Sequence, residues 1–190
     1  MSGRGTHHAG GLVAGLLVGQ IGVTTAGWSL GEVIVLAGVS CLTAGGELSC
    51  DMDNHRWWKR LDKWLPDEWL GNGGPLQHRG LTHWWGTVAL MGVGWLLLFQ
   101  AVPPLARLWP VAVGQVTGWL SHLALDFVCG KQVRSPDGYV IVRAGIPMMP
   151  WWSHAGGLIR SGDIGSQTIG ILLGIVAVGQ VWMLWSVGTL

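Results

Sequence analysis

Only 11% of the 190 residues are charged, while 49% are apolar and 32 are glycine. Soluble domains carry about 25% charge, so this composition excludes an ordinary soluble fold and points to a membrane protein. The formal net charge of +1 leaves no basic excess of the kind that binds nucleic acid, which is excluded as a partner. Cys41, Cys50 and Cys129 make an odd count, and Cys41 sits in an apolar run, so they are read as free thiols rather than a disulfide framework.

Along the chain, Met1 to Gly11 hold one Arg and two His, and the apolar run that follows has no small-residue cleavage site, so it is expected to remain as a membrane span. A helix needs roughly 20 mainly apolar residues to cross a hydrocarbon core of about 30 Å. Five stretches approach that length, near residues 9–27, 32–49, 84–102, 109–128 and 165–187. The expected fold is therefore all-α: a polytopic membrane protein, one membrane domain over 1–190, with about five transmembrane helices and a cytoplasmic interfacial helix. Trp28-Ser29-Leu30-Gly31-Glu32 breaks the first two spans into a tight helical hairpin, and Pro103-Pro104 divides the third from the fourth. Small residues four apart let helices approach in lipid. Gly11/Gly15/Gly19 is the strongest such set, and Gly114/Gly118 and Gly170/Gly174 are weaker in a chain so rich in glycine.

Between the second and third spans, residues 56–70 place Trp57, Trp58, Leu61, Trp64 and Leu65 on one helical face and Arg56, Lys59, Arg60 and Lys63 around the other. That pattern suits a helix lying among lipid headgroups, or an amphipathic cap packed on the spans. Residues 129–164 form the other long connection. Within it Ser135 to Trp152 is apolar and carries a Pro-Asp-Gly turn signal, which fits a short hairpin, a lid or a membrane anchor.

Under five spans, ten basic residues share one side: Arg4, Arg56, Lys59, Arg60, Lys63, Arg79, Lys131, Arg134, Arg143 and Arg160. Arg107 alone lies opposite, so the positive-inside rule makes the first side cytoplasmic, in a bacterial inner membrane. All seven histidines fall on that same side. Ionisable groups bordering spans are costly unless they pair, face a cavity or bind an ion. His7 opens the first span, Asp51 and Asp53 end the second, His78 and His83 open the third, and His122 and Asp126, four apart on one face, end the fourth. Antiparallel spans bring those four ends together. Each residue alone reads as a helix-end or surface group; His7, Asp51, His78, His83, His122 and Asp126 together read as metal ligands, while His8, His55 and His154 stay closer to the surface reading. Imidazoles with carboxylates suit a divalent metal, zinc first, with manganese or iron as alternatives, as one ion or two.

The succession Thr6-His7, then Gly46 to Asn54 (G-E-L-S-C-D-M-D-N), then His78 to His83 (H-R-G-L-T-H), then Gly118 to Asp126 (G-W-L-S-H-L-A-L-D) resembles the YdjM-like family of LexA-regulated, membrane-bound metal-dependent hydrolases. The resemblance covers most of the chain in order, and implies a multi-span helical membrane protein with a divalent metal site and no particular substrate. Two departures stand out. Asn54 occupies a position where the family has His, with His55 next to it as a substitute. Ser166 follows Gly162 where family members often carry Glu, and Glu47 is the candidate replacement acid or a partner for Arg79. Loss of that acid is also compatible with a protein that keeps the metal and has lost turnover.

Three functions follow. The first is a metal-dependent hydrolase at the cytoplasmic face, with Asp53 or Glu47 as general base and Arg79 offsetting substrate charge. Its partners would be membrane lipid and an amphiphilic substrate such as a phospholipid or other phosphoester. The second is a non-catalytic metal-binding scaffold. The third is a metal-ion transporter or sensor, which the scarcity of mid-span polar groups (Gln20, Gln115, Thr117) disfavours. The substrate and the oligomeric state are not legible in the sequence.

Overall fold

The structure is a computed structural model and describes residues 4–46, 49, 64–66, 80–129, 133–134, 140–142, 145–147, 154–159 and 164–188. Among these residues, five α-helices dominate: α1 (Arg4–Ala26), α2 (Leu30–Gly45), α3 (Trp85–Ala101), α4 (Trp109–Cys129) and α5 (Ile164–Gly188). They occupy the five apolar stretches. Helix α1 begins earlier than the hydrophobic run, so Thr6 and His7 are helical.

Helices α1 and α2 form the hairpin expected from the break at Trp28. Gly27 ends α1 with a φ of 68°, the left-handed conformation a side chain disfavours, and the Trp28 N–H donates to Gly22 O. Ser29 then caps α2 in a reciprocal box with Glu32: the Glu32 N–H donates to Ser29 Oγ, and the Ser29 N–H donates to Glu32 Oε2 at 2.8 Å. A 3₁₀ turn over Pro103–Leu108 joins α3 to α4, and another over Leu81–His83 leads into α3. Two small antiparallel ladders follow α4: β1 (Val133–Arg134) with β2 (Val140–Val142), and β3 (Ile146–Pro147) with β4 (His154–Ala155). The Pro136-Asp137-Gly138 turn signal falls between β1 and β2, outside the described residues.

Helices α1, α2 and α4 pack against one another; α5 lies on α1, and α3 on α4. Glycine sets the spacing. A Cβ at Gly11 would stand 2.5 Å from Ser40 O, and one at Gly15 2.7 Å from the Ala37 Cα. From the other side, Gly114 and Gly118 of α4 press on the α2 backbone at Leu36 O and Ser40 O. The second glycine pair is therefore as structural as the first. In the third pair, Gly170 meets Thr6, while Gly174 has nothing within 4 Å. Ser40 Oγ donates to Gly11 O at 2.6 Å in the buried seam.

The outward faces are apolar. Ile171, Ile175, Val178, Trp182 and Trp185 of α5, Leu90, Leu96 and Leu97 of α3, and Ile34 and Leu42 of α2 are all exposed. Gly5–Ala26 and Gln167–Ser186 are long and apolar enough to cross a membrane; Leu30–Gly45 and Trp85–Ala101 are apolar but shorter. The expected amphipathic segment at 56–70 lies outside the described residues apart from Trp64–Pro66, where Trp64 is exposed.

Candidate metal centre

One end of the bundle collects the start of α1, the end of α2, the turn before α3 and the end of α4. Four ionisable side chains meet there and are buried: His7 (5% exposed), His83 (0%), His122 (1%) and Asp126 (3%). Asp126 is the hub. Its Oδ2 lies 3.4 Å from His83 Nε2 and 3.5 Å from His122 Nε2, and its Oδ1 lies 3.7 Å from His7 Nε2. The His7 and His122 rings stack with centroids 4.0 Å apart, and the His83 ring meets that of His122 edge-on at 5.3 Å.

These distances are informative. A charge-assisted N–H···O bond measures about 2.7–2.9 Å, well short of all three. Donors sharing a tetrahedral ion at about 2.0–2.1 Å stand about 3.3–3.4 Å apart, close to the observed separations. One donor atom each from His7, His122 and Asp126 also lies within 4.8 Å of the other two, as a common ion requires.

The protonation pattern supports the same reading. Helix α2 ends at Gly45, so the carbonyl of Ala44 has no intrahelical donor. The His122 Nδ1–H donates to it at 2.6 Å, and because a carbonyl only accepts, the tautomer is set. In the neutral ring Nε2 then carries the lone pair, and it faces a carboxylate oxygen 3.5 Å away. A proton on Nε2 or a shared cation would reconcile these two electron-rich atoms. Asp126 also sits near the C-terminal, negative end of α4, where the helix dipole does not stabilise an anion. His7, His122 and Asp126 thus form the group that could hold a divalent metal, and His83 lies beside Asp126 at 3.4 Å, outside that group.

Of the six residues read from the sequence as ligands, these four are brought together. Asp51 and His78, and the proposed catalytic residues Glu47, Asp53 and Arg79, lie outside the described residues, as do Asn54 and His55. His8 is directed elsewhere: its Nδ1–H donates to Cys41 O at 2.9 Å in the α1–α2 seam. His154 is described only through its backbone in β4.

Sequence reasoning did not single out Thr82 and Trp119. The Trp119 indole N–H donates to Thr82 O at 2.9 Å, and Thr82 Oγ1 lies 3.1 Å from His83 Nδ1. The available signal was spacing, since Trp119 precedes His122 by three residues and Asp126 by seven on one helical face. Beyond α4, the chain folds back on the end of that helix, with the Gly157 N–H donating to Phe127 O and the Ile159 N–H to Val128 O. Ile146 of β3 packs on Val88, Trp119 and Leu123.

The mid-bundle polar groups are used between helices. Gln20 Nε2 donates to Gln180 O at 3.2 Å, and Trp95 Nε1 donates to Gln115 Oε1 at 2.8 Å. Gln180, buried in α5, is a further polar group that the sequence reading passed over.

A family model described as YdjM inner membrane protein matches residues 1–187 of the chain. Neither the curated proteins nor the solved structures yield a match.

Proposed function

We propose that this chain, which belongs to the YdjM inner membrane protein family, is a polytopic metal-dependent hydrolase whose metal centre faces the cytoplasm. The observation that carries the reading is the convergence of three buried imidazoles on the Asp126 carboxylate at 3.4–3.7 Å. Zinc is the metal such a donor set suits best. A bound divalent ion supplies Lewis acidity, lowering the pKa of water to near neutrality and polarising an acyl or phosphoryl oxygen.

The chain's own residues supply the rest. His122, locked through Ala44, and Asp126 present their donor atoms from one face of α4, while His7 and His83 approach from α1 and from the turn before α3. Asp53 or Glu47 is proposed as general base and Arg79 as the group that offsets substrate charge, on the strength of their sequence positions beside these helix ends. The polytopic reading rests on the apolar faces exposed along α2, α3 and α5, and the orientation on the ten-to-one basic skew. A buried centre at one end of such a bundle lies at headgroup depth, which favours a phospholipid or another amphiphilic phosphoester as substrate. An ion path is disfavoured because Gln20 and Gln115 are engaged between helices.

The test uses detergent-purified protein: metal content, and hydrolysis of labelled phospholipid vesicles, for the native chain and for His83→Ala. Stoichiometric metal and a zinc-dependent activity are expected in the native chain, with zinc affinity weakened and the activity lost in the variant. Native protein without stoichiometric metal, or a variant with unchanged metal and activity, sinks the proposal. Metal without any hydrolysis leaves the non-catalytic scaffold as the surviving reading.

A further inference from the structure

Resting on the metal centre proposed above, we infer that Thr82 is a positioning residue that fixes the tautomer and the placement of His83, and that Trp119 braces it from α4. His83 turns Nε2 toward Asp126 Oδ2 at 3.4 Å, so Nε2 is the ring atom on the side of the proposed centre. A ring that binds through Nε2 carries its proton on Nδ1, and that atom lies 3.1 Å from Thr82 Oγ1. The Thr82 hydroxyl therefore accepts the Nδ1–H, the role that carbonyls and carboxylates play behind other metal-bound histidines. For His122 the same task falls to Ala44 O. Each of these two ligands thus has its own acceptor.

His83 differs from His7, His122 and Asp126 in sitting on a three-residue 3₁₀ turn instead of a long helix. Such a turn has little internal rigidity. Trp119 supplies it from outside: its indole N–H holds Thr82 O at 2.9 Å, while its ring packs with Val88 and Leu123 in a buried cluster. Thr87 Oγ1 donates to Leu81 O and closes the turn from the α3 side. The helix that contributes His122 and Asp126 thereby also sets where a third donor stands. Positioning groups behind metal ligands typically govern affinity by about 10–100-fold.

The experiment is zinc affinity of the purified full-length protein at fixed pH, by competition with a chromophoric chelator, together with the visible spectrum of the cobalt-loaded form. Thr82→Val keeps the size of the side chain and removes the acceptor; it is expected to weaken zinc by about 10–100-fold and to shift the cobalt bands. Thr82→Ser restores the hydroxyl and is expected to return both to near the native values. Trp119→Phe should move affinity in the same direction as Thr82→Val. In a His83→Ala background, Thr82→Val should have no further effect, because the ligand it positions is gone. A general packing role would instead weaken binding by the same factor in both backgrounds. That outcome, or a Thr82→Val protein with native affinity and spectrum, overturns the inference while leaving the metal centre intact. Native protein that takes up no zinc overturns both.

Discussion

Replacing Asp126 by Asn separates a metal centre from a buried ion-pair network, since the change is nearly isosteric and removes only the charge. Structural zinc sites bind their ion with about 10–16 kcal/mol shared among about four donors, so one donor is worth roughly 3 kcal/mol, or about 100-fold in affinity. At a free zinc concentration near 1,000 times the native Kd, binding stabilises the fold by about 4.1 kcal/mol; a site weakened 100-fold retains about 1.4 kcal/mol. The zinc-loaded variant should therefore lose about 2.7 kcal/mol. With a chelator present the sign changes. Asp126 is only 3% exposed, and without a cation a buried carboxylate beside neutral imidazoles is poorly solvated. Asn relieves that cost, so the apoprotein should be as stable as the native apoprotein or more so. If Asp126 instead holds protonated histidines in a structural network, removing it costs about 3–5 kcal/mol whether or not zinc is present. Unfolding in detergent with and without chelator, alongside zinc affinity, reads both quantities. Equal destabilisation in the two conditions, with zinc affinity unchanged, refutes the reasoning.

Two further outcomes test the frame around the site. Gly118→Ala drives a methyl into Ser40 O and Thr43 Cβ, parting α4 from α2 and so separating His122 from Ala44 O. It should cost about 1–3 kcal/mol and weaken zinc binding. Gly38→Ala meets nothing within 4 Å and should stabilise the helix by up to about 1 kcal/mol; thermal unfolding of both variants checks the contrast. For topology, alkaline phosphatase fused after Leu190 should be active, and fused within residues 133–160 inactive, with fluorescent-protein fusions showing the reverse. Activity at both points contradicts the five-span arrangement.

Much of the site was legible because lipid-bordering charge is expensive. In a chain with so few ionisable groups, His7, His83, His122 and Asp126 at the ends of apolar runs call for a common explanation, and the i, i+4 spacing of His122 and Asp126 already places them on one face. The helices were legible from run length, although α1 extends a full turn further back than hydropathy suggests, because Thr6 packs at Gly170 and His7 at His122 and Asp126 there. Glycine was ambiguous. Gly114/Gly118 and Gly170/Gly174 share one spacing, yet the first pair seats against the α2 backbone and Gly174 faces open space. Which side of a helix meets a neighbour is not written in the spacing.

The sequence by itself determined the class of protein, the apolar helices and which titratable residues stand at their ends, since these follow from hydropathy and chain position. Only the tertiary structure decided that Asp126 is the common neighbour of three imidazoles, that the Ala44 carbonyl orients His122, and that Trp119 holds the turn bearing His83. Apart from His122 and Asp126, which are four positions apart, those relations join residues from 37 to 119 positions apart, with the longest separation from His7 to Asp126. Distances over such spans depend on how glycine-lined helices slide and rotate against one another, which composition and periodicity leave undetermined.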